Sequence, residues 1–387
     1  MLLFLIKSKN ICTNSSNFSL LLSCLILYSL FLFMNFKKIL SPAVSIIKLF
    51  IIFFLQFEIS YSQETYNKYF ANEKGVVSIM YHRFNETSYP STNIQMDIFK
   101  EHINTIKSSG YKFISGKQFS KTYFEEKSEK KFLLSIDDGY YSFYQNAWPY
   151  LKEHKIPFII FISTEAVGKK GYMSWKEIKD IEQYDFVTIG NHSHSHEYLV
   201  NFQFEEFKED IKKSINIFTS NLGYNPNFFS YPFGEWSLEQ KKFIGEIFDF
   251  AFGQHSGVID INKDRYELPR FPINEKYGDL ERFRFLVDLL PFQYRKVFPE
   301  EKIIDNNNPP KMKVEFFDQQ IISNINCFSN EGNGWDKTEL KIEKNILKVN
   351  FRDKFNTRRG RINCSIKDVD GWRWFGIQFV QKNIKEN

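Results

Sequence analysis

The chain predicts a parallel α/β sheet or barrel followed by a small β-rich domain, and three observations carry that prediction. Short apolar runs of strand length alternate with amphipathic helical stretches from residue 76 to about residue 290. The marked polar clusters fall directly after strands, which is where a β/α barrel builds its active site. Past residue 290 the helical period fades, and Asp305-Asn306-Asn307-Asn308-Pro309-Pro310 gives a linker signal before short runs of strand formers begin.

Taken in order, residues 1–62 read as a leader. An almost unbroken apolar run spans 18–34, and a second, over 46–57, follows Lys37-Lys38. If translation starts at Met34, residues 35–38 form a charged n-region, 46–57 the apolar core, and Ser60-Tyr61-Ser62 the cleavage site of a signal peptide. A polar linker over 63–75 leads to a strand at 76–81 that ends in His82. Phe99, Ile103 and Ile106 fall on one face of a helix closed by Gly110. Strands at 132–136, 158–162, 186–189, 228–231 and 250–253 follow, with helices between them. Ser174-Trp175-Lys176-Glu177 has the form of a capping box opening a helix, and Phe207, Ile211, Ile215 and Phe218 stack along another that stops at Gly223.

Composition excludes some functions. The 387 residues carry a formal net charge of +5, with Lys and Arg interleaved among Asp and Glu, so nucleic acid is not the indicated partner. Two of the four cysteines lie in the leader. The remaining pair, Cys327 and Cys364, flanks a strand-rich stretch and is expected to form a disulfide in an exported protein.

Three motifs carry chemistry. Ser135-Ile136-Asp137-Asp138-Gly139 closes the strand at 132–136, and the turn that Gly139 permits can deliver both carboxylates into one cavity. Two carboxylates there need a cation. Either both bind it, or one binds it while the other handles a proton on water. Gly190-Asn191-His192-Ser193-His194-Ser195-His196 also follows a strand. As a helix it puts His192 and His196 on one face with His194 turned away; as an extended segment it aligns all three. In both cases imidazole and carboxylate make a donor set suited to zinc or a similar divalent ion, cobalt or nickel included. The third motif, Ser230-Tyr231-Pro232-Phe233-Gly234, is a sharp turn that can aim a backbone N–H at an oxyanion.

The order Asp-Asp-Gly, His-x-x-x-His, Pro-Phe-Gly resembles the polysaccharide deacetylases with a NodB-homology domain, carbohydrate esterase family 4, over roughly residues 76–290. The resemblance implies a distorted (β/α) barrel of about seven strands over residues 76–300, joined by a linker at 301–313 to the small β-rich domain at 314–387. It also implies Asp138, His192 and His196 as metal ligands, Asp137 as general base and the Phe233 N–H as oxyanion donor. His82 and Tyr231, beside these motifs, are expected to touch substrate. Two departures stand out. The family's third motif commonly begins with Arg where this chain has Ser230, and Arg270 is expected to supply the guanidinium that orients Asp137. The family's late Leu-x-His motif, source of the general acid, is not plainly present, and His255 is the expected substitute, ahead of His82.

The resulting expectation is an exported, periplasmic or extracellular hydrolase that removes N-acetyl, or secondarily O-acetyl, groups from an acetylated envelope or extracellular polysaccharide. It would touch the membrane solely through an uncleaved leader. A catalytically silent glycan-binding protein on the same barrel is the competing reading, and loss of Asp137 or a metal ligand would favour it. A membrane-anchored structural protein, held by residues 18–34, is a further one.

Overall fold

A computed structural model describes residues 73–382 apart from 319 and 321, together with residue 384. The leader expected over residues 1–62 lies outside the described residues. Strand β1 (Val76–Tyr81) is followed by helices α1 (Met96–Ser108) and α2 (Gly116–Thr122). Strand and helix then alternate as β2 (Lys131–Ile136), α3 (Trp148–Glu153), β3 (Phe158–Ile162), α4 (Trp175–Glu182), β4 (Val187–Asn191), α5 (Phe204–Leu222), β5 (Phe228–Ser230), α6 (Leu238–Gly245) and β6 (Phe250–Phe252). Two short strands, β7 (Val258–Ile259) and β8 (Phe271–Pro272), precede helix α7 (Leu280–Asp288).

Local sequence explains where the helices begin and end. At α4 the Ser174 hydroxyl accepts from the Glu177 backbone N–H, and the Glu177 carboxylate accepts in return from the Ser174 N–H at 2.6 Å. Helix α5 stops where Gly223 takes the left-handed conformation, φ 87°. Among the described residues no helix is long and apolar enough to cross a membrane.

Among the described residues, one curled sheet of nine strands runs along the path β7-β1-β2-β3-β4-β5-β6, with β8 and the short strand Lys112–Phe113 paired beside it. Strands β1 to β6 are parallel, and β7 lies antiparallel on β1. The stretch 268–272 touches both sides of the run, because Leu268 bridges Phe252 of β6 while Phe271 of β8 pairs with Ile79 of β1. The sheet is thereby drawn into a (β/α) half-barrel.

Alternation sorts the side chains into layers. Val76, Leu133, Ile159, Phe161, Phe228, Phe250, Phe252, Ile259 and Leu268 pack together inside the curl. Phe132, Leu134 and Ile136 point outward, where α1, α3, α4 and α7 cover them. Phe229, Tyr231 and Ala251 point out toward α5 and α6. Burial on both faces is why these strands read as continuous apolar runs.

The C-terminal region has a hydrophobic core of its own. Among the described residues it holds a five-stranded and a four-stranded sheet. Leu290 and Pro291 pair with Arg373 and Trp374, and Lys296–Phe298 pairs with Lys313–Glu315. Residues 290–298, read from the sequence as the end of the barrel, are therefore strands of the C-terminal sheets. Cys327 and Cys364 stand opposite each other on paired strands and are joined by a disulfide.

Candidate active site

The inward-facing register of each strand selects the residues at the open, C-terminal end of the curl. Leu133 faces inward, so Ser135 and Asp137 follow on the same side of β2. By the same count β1 leads from Val76 to His82, β5 from Phe228 to Ser230, and the closing stretch from Leu268 to Arg270. These side chains meet above the apolar layer. Arg270 is fully buried and spends all five of its N–H donors there. Nη1 reaches Asp137 Oδ1 at 2.7 Å and Ser135 Oγ at 3.2 Å; Nη2 reaches Asp137 Oδ2 and Ser230 Oγ, each at 2.8 Å; Nε reaches the Gly253 carbonyl at 3.0 Å. The Ser230 hydroxyl donates onward to Asp137 Oδ2 at 3.3 Å. Burial pushes the Asp137 carboxyl up, but the Arg270 guanidinium and neighbouring imidazoles outweigh it and hold the group below the usual carboxylate range. Asp137 is thus an ionised, fixed acceptor.

Asp138 reaches the same cavity by turning the backbone into the left-handed region, φ 73°. The histidine loop does likewise at Ser193 (φ 68°) and His196 (φ 56°), and is neither helix nor extended strand. Asp210 of α5 pins it by accepting the His194 and Ser195 N–H groups at 2.8 and 2.9 Å. Asn191 Oδ1 accepts the Ser193 N–H at 2.8 Å, and Ser193 Oγ accepts the His196 N–H at 3.2 Å. The loop therefore brings His192 Nε2 to 3.3 Å and His196 Nε2 to 3.0 Å from Asp138 Oδ1. His194 is turned away, its Nδ1 lying 2.9 Å from Thr164 Oγ1.

The proton inventory of this trio points to a cation. His192 Nδ1 lies 2.6 Å from the Ser230 carbonyl, an acceptor, so the neutral ring carries its proton there and presents a lone pair at Nε2. That lone pair faces a carboxylate oxygen, and both atoms are buried without a hydrogen-bond partner. Such an arrangement is repulsive unless a positive ion lies between the donors. One ligand atom from each of Asp138, His192 and His196 lies within 4.8 Å of the others, and the set suits a divalent metal. Burial pushes Asp138 up, but His196 and His192 overcome it and hold the carboxyl well below its usual range.

Phe233, in the turn after β5, is a fourth left-handed residue at the site, φ 59° and ψ 4°. Its ring packs on His196 at 4.9 Å and on Tyr198 at 4.3 Å. Residues with side chains adopt this conformation at a cost of order 1–2 kcal/mol each, and the surrounding contacts hold it. The Gln378 amide, from the C-terminal sheet, donates to the Phe233 and Gly234 carbonyls at 3.2 and 3.1 Å. Beside it the buried Glu235 carboxylate accepts from Arg358 Nε at 2.9 Å and Nη2 at 2.6 Å.

Two expected site residues lie elsewhere. Phe250 and Phe252 face inward and Ala251 outward, and His255 lies in the bend beyond β6. Burial and the cations Lys302, Lys263, Lys241 and Arg270 push its imidazole down to about 3. His82 takes its place beside the carboxylates. Burial holds its imidazole below the usual range, although Asp138 and Asp137 pull the other way. Tyr231 alternates with inward Ser230 and is buried in the outer layer, its hydroxyl donating to the Tyr266 carbonyl at 3.1 Å. It cannot touch substrate. Sequence reasoning passed over Ser135 and Ser230 as guanidinium acceptors, and over Asp210 and Gln378. Period-two counting from Leu133 and Phe228 finds the two serines; the other two are supplied across the fold.

A half-barrel with a buried carboxylate and two imidazoles at the strand ends, beside an arginine-clamped aspartate, defines a metal-dependent hydrolase. The family model described as polysaccharide deacetylase matches residues 124–244, a stretch holding the aspartate pair, the histidine loop and the Pro-Phe-Gly turn. Over that stretch the chain is similar to the polysaccharide deacetylases with a NodB-homology domain, carbohydrate esterase family 4. It is 26% identical over 199 residues to YxkH of Bacillus subtilis (strain 168), whose name assigns it provisionally to the polysaccharide deacetylases, covering 51% of this chain and 70% of that one. It is 23% identical over 234 residues to a poly-β-1,6-N-acetyl-D-glucosamine N-deacetylase of Staphylococcus aureus (strain MSSA476), covering 52% and 80%. Among solved structures, the polysaccharide deacetylase BC0361 of Bacillus cereus shares the fold, with a TM-score of 0.50 at 19% identity, over 56% of this chain and 69% of that one. His82 and Arg270 lie outside the stretch that the family model matches.

Proposed function

We propose that the protein is an exported, metal-dependent deacetylase that removes N-acetyl groups from a polysaccharide. The observation that carries the reading is the unprotonated meeting of His192 Nε2 and Asp138 Oδ1, buried beside the clamped Asp137. Asp138, His192 and His196 would hold the metal, with zinc first among divalent ions for two imidazoles and a carboxylate, and cobalt or nickel as substitutes. When bound, the ion supplies a Lewis acid that polarises the acetyl carbonyl and makes water easier to deprotonate. Asp137, kept ionised by Arg270, takes the proton of the attacking water. The Phe233 N–H faces the oxyanion that develops as water adds to the carbonyl carbon. His82, on the inward register across from the clamp, hands a proton to the amine as the C–N bond breaks. Acetate and a free amino sugar are the products.

Export is supported by the apolar runs at 18–34 and 46–57 and by the disulfide between Cys327 and Cys364. The substrate class is supported by the family and by the Staphylococcus aureus relative's name. Acetate release from a panel of N- and O-acetylated glycans, with metal removed by chelator and then restored, tests the reading. Release from N-acetylated glycans that stops and returns with the metal is expected. Release indifferent to chelation would overturn it.

A further inference from the structure

One face of the C-terminal five-stranded sheet lies against the catalytic end of the barrel. Residues 359, 361, 363 and 365 share that face of strand Arg359–Lys367, and Gln378, Gly376 and Trp374 of the next strand stand opposite 361, 363 and 365. The contacts of Gln378 with the Phe233 turn fix one side of the face. Ser256, in the loop after β6, fixes the other: its hydroxyl donates to Asn363 Oδ1 at 2.7 Å and accepts from Trp374 Nε1 at 3.0 Å. The approach is close enough that a Cβ on Gly376 would lie 2.7 Å from the Ser256 carbonyl. Arg361 therefore stands between the two loops that border the cavity on this side.

Arg361 is half-buried, and its Nε donates to Gln378 Oε1 at 3.0 Å. Among the described residues that is its one hydrogen-bond partner, and no carboxylate pairs with it. The nearby Glu235 carboxylate is already taken by Arg358. Arg359 stands two residues away on the same face, its guanidinium carbon 5.4 Å from the centre of the Phe233 ring that packs on His196. Burial and the charge of Arg359 push Arg361 down to about 10. A half-buried guanidinium oriented by one nitrogen keeps the other two in the forked geometry that grips a carboxylate or phosphate.

We propose that Arg361 binds an anionic substituent of the glycan, a carboxylate or a phosphate, next along the chain from the acetylated sugar, and so selects acidic N-acetylated polysaccharides. The proposal rests on the deacetylase reading above. Three N-acetylated oligosaccharides of equal length test it: a neutral chitooligosaccharide, the same chain 6-phosphorylated, and one alternating N-acetylglucosamine with glucuronate. The quantity read is the ratio of kcat/KM for each acidic chain to that for the neutral chain. In Arg361→Gln the ratio for one acidic chain should fall about tenfold, as expected for loss of one charged hydrogen-bonding pair. Which acidic chain responds tells carboxylate from phosphate. A ratio that does not move for either would overturn the proposal, whatever happens to the overall rate. Calorimetric binding of the same chains keeps the two readings apart. Salt-sensitive binding of an acidic chain that Arg361→Gln weakens, with no acetate released from any glycan, would sink the deacetylase reading and uphold the anion site. Equal binding by both proteins would sink the anion site alone.

Discussion

Replacing Arg270 by Met removes five donors at once while keeping similar bulk. Asp137 loses both arms of its clamp, at 2.7 and 2.8 Å, and stays fully buried. A buried ion stripped of its partner costs about 3–5 kcal/mol, and that is the expected loss of stability in chelator-treated protein at neutral pH. The pH dependence separates this account from a packing defect. In the wild type the folded carboxyl lies below its unfolded value, so it contributes stability above about pH 3.9 that is lost as pH falls through the folded value. In Arg270→Met burial acts with less opposition and raises the carboxyl, so the ionised group destabilises the fold at neutral pH and the deficit shrinks on acidification. Urea unfolding at pH 7 and pH 4.5 reads that difference directly. In the metal-loaded enzyme the acidic limb of kcat/KM should move up with the carboxyl, with the metal content retained. A deficit under about 1 kcal/mol, or one independent of pH, together with an unmoved acidic limb, would refute the role of the clamp.

Three further outcomes follow from the site and the C-terminal sheet. Asp138→Ala, His192→Ala and His196→Ala should each lose most bound metal, measured by elemental analysis after dialysis, because each removes a ligand atom from the trio within 4.8 Å. His194→Ala should keep it, since that ring lies against Thr164; equal loss in all four would favour a three-histidine site. His82→Ala should lower turnover about 10²- to 10⁴-fold with metal retained, whereas His255→Ala should stay near wild type; the reverse pattern would return the acid to His255. Reducing Cys327–Cys364, which closes a loop of 37 residues, should destabilise the C-terminal region by about 4 kcal/mol at most. Two alkylated thiols without reductant, seen by intact mass, would contradict the bridge.

Strands β2 and β3 were legible because burial on both faces leaves nearly unbroken apolar runs, and the capping box at Ser174 marked α4 through purely local bonds. The aspartate pair and the two histidines were legible as residue types at strand ends. Their convergence was not, since it depends on Asp210, in the second turn of α5, to hold a loop that is neither helix nor strand. Choosing His255 by its place along the chain could not foresee that the bend after β6 sets it among Lys302, Lys263 and Lys241. Period-two counting separates Ser230 from Tyr231. No local signal shows that Gln378 caps the Phe233 turn, because the two meet only when the C-terminal sheet packs on the barrel.

The division of labour between the two aspartates is the centre of the account, and Asp137→Asn measures it in a single sample. The substitution keeps the volume but removes the base, and leaves Asp138, His192 and His196 in place. Metal content and acetate release from an N-acetylated glycan should be determined on the same preparation. The account predicts wild-type metal content with turnover abolished. Loss of the metal, or retention of turnover, would contradict it.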